Sequence, residues 1–322
     1  MTGILAITGP IYLVAAIGFL ATRFGLFQRA DMRVLGKFVV NLALPALLFN
    51  ALAQRSVAEV LNPVFIAAYA IGSLGANFAG VLWARRVAGK PLSAAAIVGM
   101  GMSCPNSGFI GFPLVAQMFG PVNAGIGLAL AMVVENFLTL PLSLALADSD
   151  PGQAGAGQTR AQRLRMALLQ SLRSVLRNPM IWGIALGFLF SLAGWRLPET
   201  IARTVDLFAV ACASIALFVI GGSLVGISTQ GLARDVAVIA AGKLLLHPLL
   251  VLAAVLVLPP MARDLQLMVV VMAAVPMLGI YPVLAQRHGQ DTMAAAAQLG
   301  TTLASFLTLP LVAWATAQVL VR

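Results

Sequence analysis

Three ionisable side chains stand inside stretches of this sequence that are otherwise apolar: Glu135, Lys243 and His247. A charge at the centre of a bilayer costs about 2.5–3.5 kcal/mol on insertion scales, so each is a functional candidate by default. Lys243 offers an ammonium, which suits an organic carboxylate or, equally, a structural pairing with Glu135. His247 follows one helical turn on, at i+4, and precedes Pro248; a core histidine satisfied by hydrogen bonds is the simpler role for it. Glu135 offers a carboxylate that can exchange protons during a transport cycle or serve Lys243 as a fixed partner. Asn136 adds an uncharged amide beside it. No GxSxG, HExxH or phosphate loop accompanies these residues, and no nucleophile–base pair stands at a recognisable spacing. The chemistry expected is therefore binding, with no enzyme activity, no metal site and no cofactor beyond a coupling H+ or Na+. Cys104 and Cys212 lie in apolar stretches and read as buried thiols.

The element that must position such groups is interrupted. NSGFIGFPLVAQMFG, Asn106 to Gly120, lies in a long apolar segment yet contains Gly108, Gly111 and Pro113, with Pro105 just before it. Proline removes a helical hydrogen bond and glycine loosens the backbone. In lipid such a break survives only where protein or a water-filled cavity satisfies the freed groups. The run GIYPVLAQRHG, Gly279 to Gly289, repeats the second half of this stretch. Pro113 falls on Pro282, Ala116 on Ala285, Gln117 on Gln286 and Gly120 on Gly289, each 169 residues later. Paired interruptions of this kind point to a transporter binding site. Breaks are expected near Ile110 to Pro113 and Gly279 to Pro282, close together at mid-membrane. Candidate substrate contacts are Asn106, Ser107, Gly108, Ile110, Pro113, Lys243, Gly279, Ile280, Tyr281 and Pro282. Tyr281 takes the place of Phe112 and adds a hydroxyl on one side only. Candidates for the coupling ion or proton are Glu135, Asn136, Gln117, Gln286 and His247.

The chain is 61% hydrophobic and 9% charged, the composition of an all-α integral membrane protein. A spanning helix needs about 20 mostly apolar residues. Ten such segments are expected, over 3–22, 34–53, 60–83, 93–118, 122–147, 178–195, 204–226, 233–258, 265–287 and 293–320. The offset of 169 recurs outside the breaks. GPIYLVAAIGFL (9–20) matches NPMIWGIALGFL (178–189), Leu48 and Phe49 pair with Leu217 and Phe218, and FLTLPL occurs at 137–142 and at 306–311. The chain thus reads as a duplicated five-helix unit, 1–147 and 178–322, joined by a linker at 148–177. Because five is odd, the second copy enters from the opposite side and the halves are inverted repeats.

Charge fixes the expected orientation. One set of loops holds Arg23, Arg29, Arg33, Lys37, Arg85, Arg86, Lys90, Arg160, Arg163, Arg165, Arg173, Arg177, Arg234 and Arg287; the other holds only Arg55, Arg196, Arg203, Arg263 and Arg322. The first set is read as cytoplasmic, which puts both termini outside. The net charge of +10 is then explained by topology and the anionic inner leaflet, with no need for nucleic acid. Within the linker, RAQRLRMALLQSLRSVLRN has apolar residues at helical spacing and reads as a basic helix on the inner membrane surface.

These motifs resemble the auxin efflux carrier family, the bacterial relatives of plant PIN-type carriers. The resemblance rests on NLALPALLF (41–49), NSGFIGFPL (106–114), NPMIWGIALG (178–187), LFVIGGSL (217–224), KLLLHP (243–248) and GIYPVLAQ (279–286), spread over nearly the whole chain. It implies ten helices in two inverted repeats, a scaffold of helices 1, 2, 6 and 7, and a transport domain of helices 3–5 and 8–10. Helices 4 and 9 would cross at Pro113 and Pro282. It further implies an elevator-type secondary carrier of small organic anions, malonate or malate in bacterial members, working as a homodimer in the inner (plasma) membrane. The long cytoplasmic loop of many plant members is missing, which counts against a hormone as substrate. Two alternatives are a sodium-coupled symporter of the bile-acid type and a passive channel or sensor. A sensor would carry a soluble output domain, for which the linker is too short.

Overall fold

Apolar segments of this length fold as helices in lipid because each backbone N–H and C=O then finds a partner within its own segment. A computed structural model of the protein describes residues 2–53, 55, 61–149, 176–226 and 233–320. In chain order the helices are α1 (Thr2–Arg23), α2 (Arg29–Ala53), α3 (Pro63–Arg86), α4 (Leu92–Ser103), α5 (Ser107–Phe119), α6 (Pro121–Asp148), α7 (Pro179–Ala193), α8 (Glu199–Ser223), α9 (Arg234–Val257), α10 (Arg263–Ala274), α11 (Tyr281–Gln286) and α12 (Asp291–Val319). Six of them, α2, α3, α6, α8, α9 and α12, are long and apolar enough to cross a membrane, and α4, α5 and α7 are shorter apolar helices. The protein is all-α and of multi-pass membrane type. The expected basic surface helix falls in residues 150–175, which lie outside the described residues.

Local sequence explains many of the helix ends. Asn178 caps α7 by accepting a hydrogen bond from the Met180 N–H (3.0 Å), Pro179 occupies the first turn, and Gly194 closes the helix at φ 64°. Asp31, in the first turn of α2, accepts from the Gln28 N–H (2.8 Å).

Proline inside a helix leaves a different mark. Among the described residues, four helices contain a widened π-turn, at Val39–Ala43, Ser107–Gly111, Glu135–Thr139 and Gly242–Leu246. Each is followed two residues later by proline: Pro45, Pro113, Pro141 and Pro248. The proline ring clashes with the carbonyl four residues back and has no N–H to give it. One widened turn removes the clash by shifting the preceding bond to i−5, as from Leu44 N–H to Val39 O, Leu140 to Glu135 and His247 to Gly242. Pro10 and Pro310, by contrast, sit in helices that stay α.

By their internal contacts the residues form two compact units. The first comprises Met1–Pro63, Ser107–Leu130 and Leu176–Gly226; the second comprises Val64–Asn106, Ala131–Val175 and Ile227–Arg322. In the first, α1 packs on α8 and α7 packs on α2. Small residues set these distances. A Cβ on Gly18 would lie 2.1 Å from the Phe218 carbonyl oxygen, and one on Gly187 would lie 3.1 Å from the Phe49 carbonyl oxygen. Without lipid-excluded hydrophobic drive between helices, such backbone approach supplies the packing energy. The two contacts are related by the 169-residue offset: Gly18 maps to Gly187 and Phe49 to Phe218. In each case the first helix of one half packs on the second helix of the other.

In the second unit α4 packs on the C-terminal part of α6, α9 on α10 and α12, and α11 on α12. Its core is formed largely of small and flexible apolar side chains, among them Ala95, Ile97, Met100, Ala294 and Ala297.

Candidate functional site

Between α4 and α5 the helix stops at Ser103 and resumes at Ser107; between α10 and α11 it stops at Ala274 and resumes at Tyr281. The two unwound stretches lie together in the second unit as an antiparallel bridge between Pro105 and Met277. The Asn106 N–H donates to Pro276 O (2.8 Å) and the Leu278 N–H to Cys104 O (2.9 Å). Each broken helix thereby satisfies backbone groups the other leaves open, as a break in lipid requires. The first interruption comes earlier than the sequence suggests, at Cys104 to Asn106 rather than Ile110 to Pro113. Pro282 instead stands in the first turn of α11, where a missing N–H costs nothing, and Pro113 lies inside α5, where the π-turn Ser107–Gly111 accommodates it. The prolines at the unwound stretches are Pro105 and Pro276.

Around this bridge the second unit holds a buried polar cluster. Lys243 has no exposed surface. Its ammonium donates to the Ala273 carbonyl (2.6 Å), in the last turn of α10, and stands 2.9 Å from His247 Nδ1. Carbonyls in a last turn lack an intrahelical partner and attract cations. Lys243 thus ties α9 to the end of the half-helix that precedes the break. His247 Nε2 is 2.9 Å from Ser73 Oγ on α3. With Lys243 as an ammonium, Nδ1 must accept, so the imidazole is neutral and its Nε2–H donates to Ser73.

Helix α3 supplies a polar stripe at i, i+4 and i+8: Tyr69, Ser73 and Asn77, all buried. Tyr69 OH donates to Glu135 Oε1 (2.7 Å), and Asn77 Nδ2 donates to Ser143 Oγ (2.7 Å) and Ser103 Oγ (3.0 Å). Both pairs of α3 with α6 span 66 residues, as parallel helices in constant register require. Glu135, Thr139 and Ser143 form the answering stripe on α6. Tyr69, which holds Glu135, has its ring 6.0 Å from that of His247, which holds Lys243, so the carboxylate and the ammonium belong to one cluster. Glu135 itself is partly exposed, and Asn136 beside it donates to Met132 O (2.9 Å). Both Glu135 and Lys243 lie on π-turns, which occur often at functional sites because they redirect a side chain.

The remaining expected residues are placed as follows. Tyr281 is buried and its hydroxyl donates to Ile97 O (2.9 Å); Gly101 leaves room for it, since a Cβ there would lie 2.6 Å from that oxygen. Gly279 and Ile280 are exposed, and the Gly279 carbonyl accepts from Gln298 Nε2 (2.9 Å) on α12. Asn106 is buried, 3.6 Å from where a Cβ on Gly279 would stand. Ser107, Gly108, Ile110 and Pro113 belong to the first unit, where Gly108 packs against Leu44. Gln117 and Gln286 are exposed. A cavity of about 640 Å³ in the first unit, lined by Phe49, Asn50, Arg55, Trp195, Arg196 and Asp206 among others, contains none of the expected residues. Tyr69, Ser73, Asn77, Ser143 and Gln298 are additions the sequence reading missed. For Tyr69, Ser73 and Asn77 the spacing by four on α3 was the available signal.

Similarity to known proteins agrees with this architecture. Residues 9–313 match the family described as membrane transport protein. The chain is 25% identical over 301 residues to "Uncharacterized transporter YfdV" of Escherichia coli K12, covering 92% of each. It is 26% identical over 308 residues to an "Uncharacterized transporter" of Methanothermobacter thermautotrophicus, covering 94% of each. It is 26% identical over 254 residues to a Rhizobium meliloti protein named "Putative malonate transporter", covering 78% of this chain and 76% of the other. With its helices and its match over nearly the whole length, the chain belongs to the membrane transport protein family, the auxin efflux carriers, and is a transmembrane transporter rather than an enzyme.

Proposed function

We propose that this transporter is a secondary carrier of small organic anions, mono- or dicarboxylates of the malonate type. The observation that carries the anionic part is Lys243, a cation with no exposed surface held at the end of a broken helix in a membrane transporter. A buried ammonium attracts anions, and a substrate carboxylate would join or displace Glu135, which balances it at rest. The name of the Rhizobium relative agrees with a dicarboxylate. The substrate is reached at the two unwound stretches of the second unit, with Asn106 on one side and Gly279 and Ile280 on the other.

In this reading the chain has ten spanning segments in two inverted repeats with crossing interrupted helices. Support comes from the reciprocal contacts Gly18–Phe218 and Gly187–Phe49, and from the bridge between Pro105 and Met277. A scaffold and a moving transport domain work as an elevator. The division into two compact units supports this, with residues 107–130 grouping with the first. The carrier works as a homodimer in the inner membrane with both termini outside.

The test is exchange of radiolabelled malonate by purified protein in liposomes, alongside a panel of mono- and dicarboxylates. Saturable exchange is expected. Lys243→Gln is expected to weaken anion affinity roughly ten- to a hundred-fold, the loss of one charge-assisted contact. Flux that never saturates would replace the carrier with a channel, and unchanged affinity in a folded Lys243→Gln protein would remove Lys243 from the site.

A further inference from the structure

The polar cluster of the second unit contains the charged or titratable groups Glu135 on α6, Tyr69 on α3, Lys243 and His247 on α9, and Cys104 at the end of α4. Their hydrogen bonds assign roles by elimination. With Lys243 as an ammonium, His247 accepts from it and donates to Ser73, so a second proton on the ring would point at a cation. Tyr69 already gives its proton to the Glu135 carboxylate. Lys243 and His247 are sealed from solvent, whereas Glu135 keeps exposed surface. One cation and one carboxylate balance the cluster. A second anion entering it leaves one negative charge too many in a medium that tolerates no net charge.

The repeat supplies an internal control. At the position 169 residues after Glu135 the same FLTLPL run is preceded by Ala304, and α12 continues through Pro310 as a regular helix. The carboxylate is therefore not what allows this sequence to be a helix.

Resting on the anion-carrier reading, we infer that Glu135 is the proton-coupling group of this transporter. An anion approaching Lys243 obliges the Glu135 carboxylate to take a proton, and Tyr69 positions that carboxylate. An O–H bond forms on Glu135 with a proton from hydronium on the side of loading, leaving water. The bond breaks and the proton returns to water on the other side after the anion leaves. One monovalent anion then moves with one proton and no net charge, and a divalent anion moves with one net negative charge.

Two arms test this. The first needs no substrate. Infrared spectra of the protein in lipid are compared for wild type, Lys243→Gln, Glu135→Gln and the double variant at neutral pH. Loss of the cation should force Glu135 to protonate, so Lys243→Gln gains a carboxylic-acid carbonyl band that the double variant lacks. If Lys243→Gln does not fold, acid titration of wild type against Glu135→Gln replaces it, and the same band should grow only in wild type. Absence of a Glu135 band in either form overturns the inference. The second arm uses liposomes, labelled malonate and an internal pH dye. With the membrane potential clamped at zero by valinomycin and equal potassium, a gradient of about one pH unit, acid on the side of entry, should raise wild-type accumulation about tenfold, since one pH unit and a tenfold ratio are the same free energy. Internal acidification should accompany it. In Glu135→Gln the ratio of accumulation with and without the gradient should fall to one. A ratio that stays near ten in that variant overturns the inference. A protein that shows the infrared band but exchanges none of the tested carboxylates overturns the anion-carrier reading instead.

Discussion

The hexamer FLTLPL is helical in both its copies, but in different ways. In α6 it follows Glu135 and Asn136, begins within the π-turn Glu135–Thr139 and carries Pro141 two residues beyond it. In α12 it follows Ala304 and Ser305 and runs through Pro310 without a widened turn. The threonines show the difference. Thr139 is buried and its hydroxyl reaches back to the Glu135 carbonyl (3.4 Å), while Ser143 reaches back to Thr139 O (2.8 Å). Thr308, the counterpart of Thr139, has a buried hydroxyl with no hydrogen-bond partner among the described residues. Proline makes a widened turn available; what surrounds the helix decides whether it is used. Where Tyr69 awaits a carboxylate, the π-turn turns Glu135 toward it, and hydroxyls satisfy the carbonyls that the turn disturbs.

The difference can be broken at several points. The largest effect is expected from Lys243→Gln, which strips Glu135 of its nearby cation and leaves the Ala273 carbonyl without its donor. Breaking a buried charge arrangement costs about 3–5 kcal/mol. Thermal unfolding in detergent should fall sharply, and Glu135→Gln in the same chain should recover much of the loss. Next is Ala304→Glu, which gives α12 the acid of α6 without a Tyr69 to receive it. A cost of about 2.5–3.5 kcal/mol is expected, read as reduced membrane insertion; insertion equal to wild type would mean that α12 already holds a hidden partner. Tyr69→Phe removes one hydrogen bond to a charged acceptor and should cost about 1.5–3 kcal/mol in the same melting assay. It should also make the Ala304→Glu change no worse, since the sites are separate. The smallest and sharpest pair is Thr139→Val against Thr308→Val. The first should cost about 1 kcal/mol, whereas the second should be neutral or mildly stabilising because it removes an unpartnered buried hydroxyl. Equal costs would erase the distinction between the two copies.

The membrane character and the helical class were legible because hydropathy over twenty residues is a coarse, additive signal. Glu135, Lys243 and His247 stood out for the same reason: an ionisable group interrupts an apolar run. Their partners did not stand out. Tyr69, Ser73 and Asn77 barely change the hydropathy of α3, and Ser103, Thr139 and Ser143 resemble the hydroxyls that transmembrane helices carry routinely. Only their spacing by four marks them, and that becomes informative once a facing helix is known. The interruptions were sensed but misplaced in the fourth segment. Pro113 and Pro282 share the repeat offset and so draw attention, yet Pro282 starts a helix and Pro113 is absorbed by a π-turn inside one. Pro105 and Pro276 do not share that offset, and the unwound backbone lies beside them. The π-turns had a signature in hindsight, proline two residues on, but Pro10 and Pro310 show that it does not suffice.

The exchanged packing of Gly18 on Phe218 and Gly187 on Phe49 has a consequence for biosynthesis. When the first half leaves the ribosome, α1 has inserted with its narrow glycine surface facing lipid, and the helix that will cover it has not yet been made. The same holds for Phe49 on α2, whose partner arrives with Gly187. Neither half can finish its own packing, so the nascent chain must remain a loose set of helices in the bilayer until α8 is threaded in. Ribosome stalling or truncation before Phe218 should then leave a product that membrane proteases recognise, and supplying the second half as a separate polypeptide should rescue it.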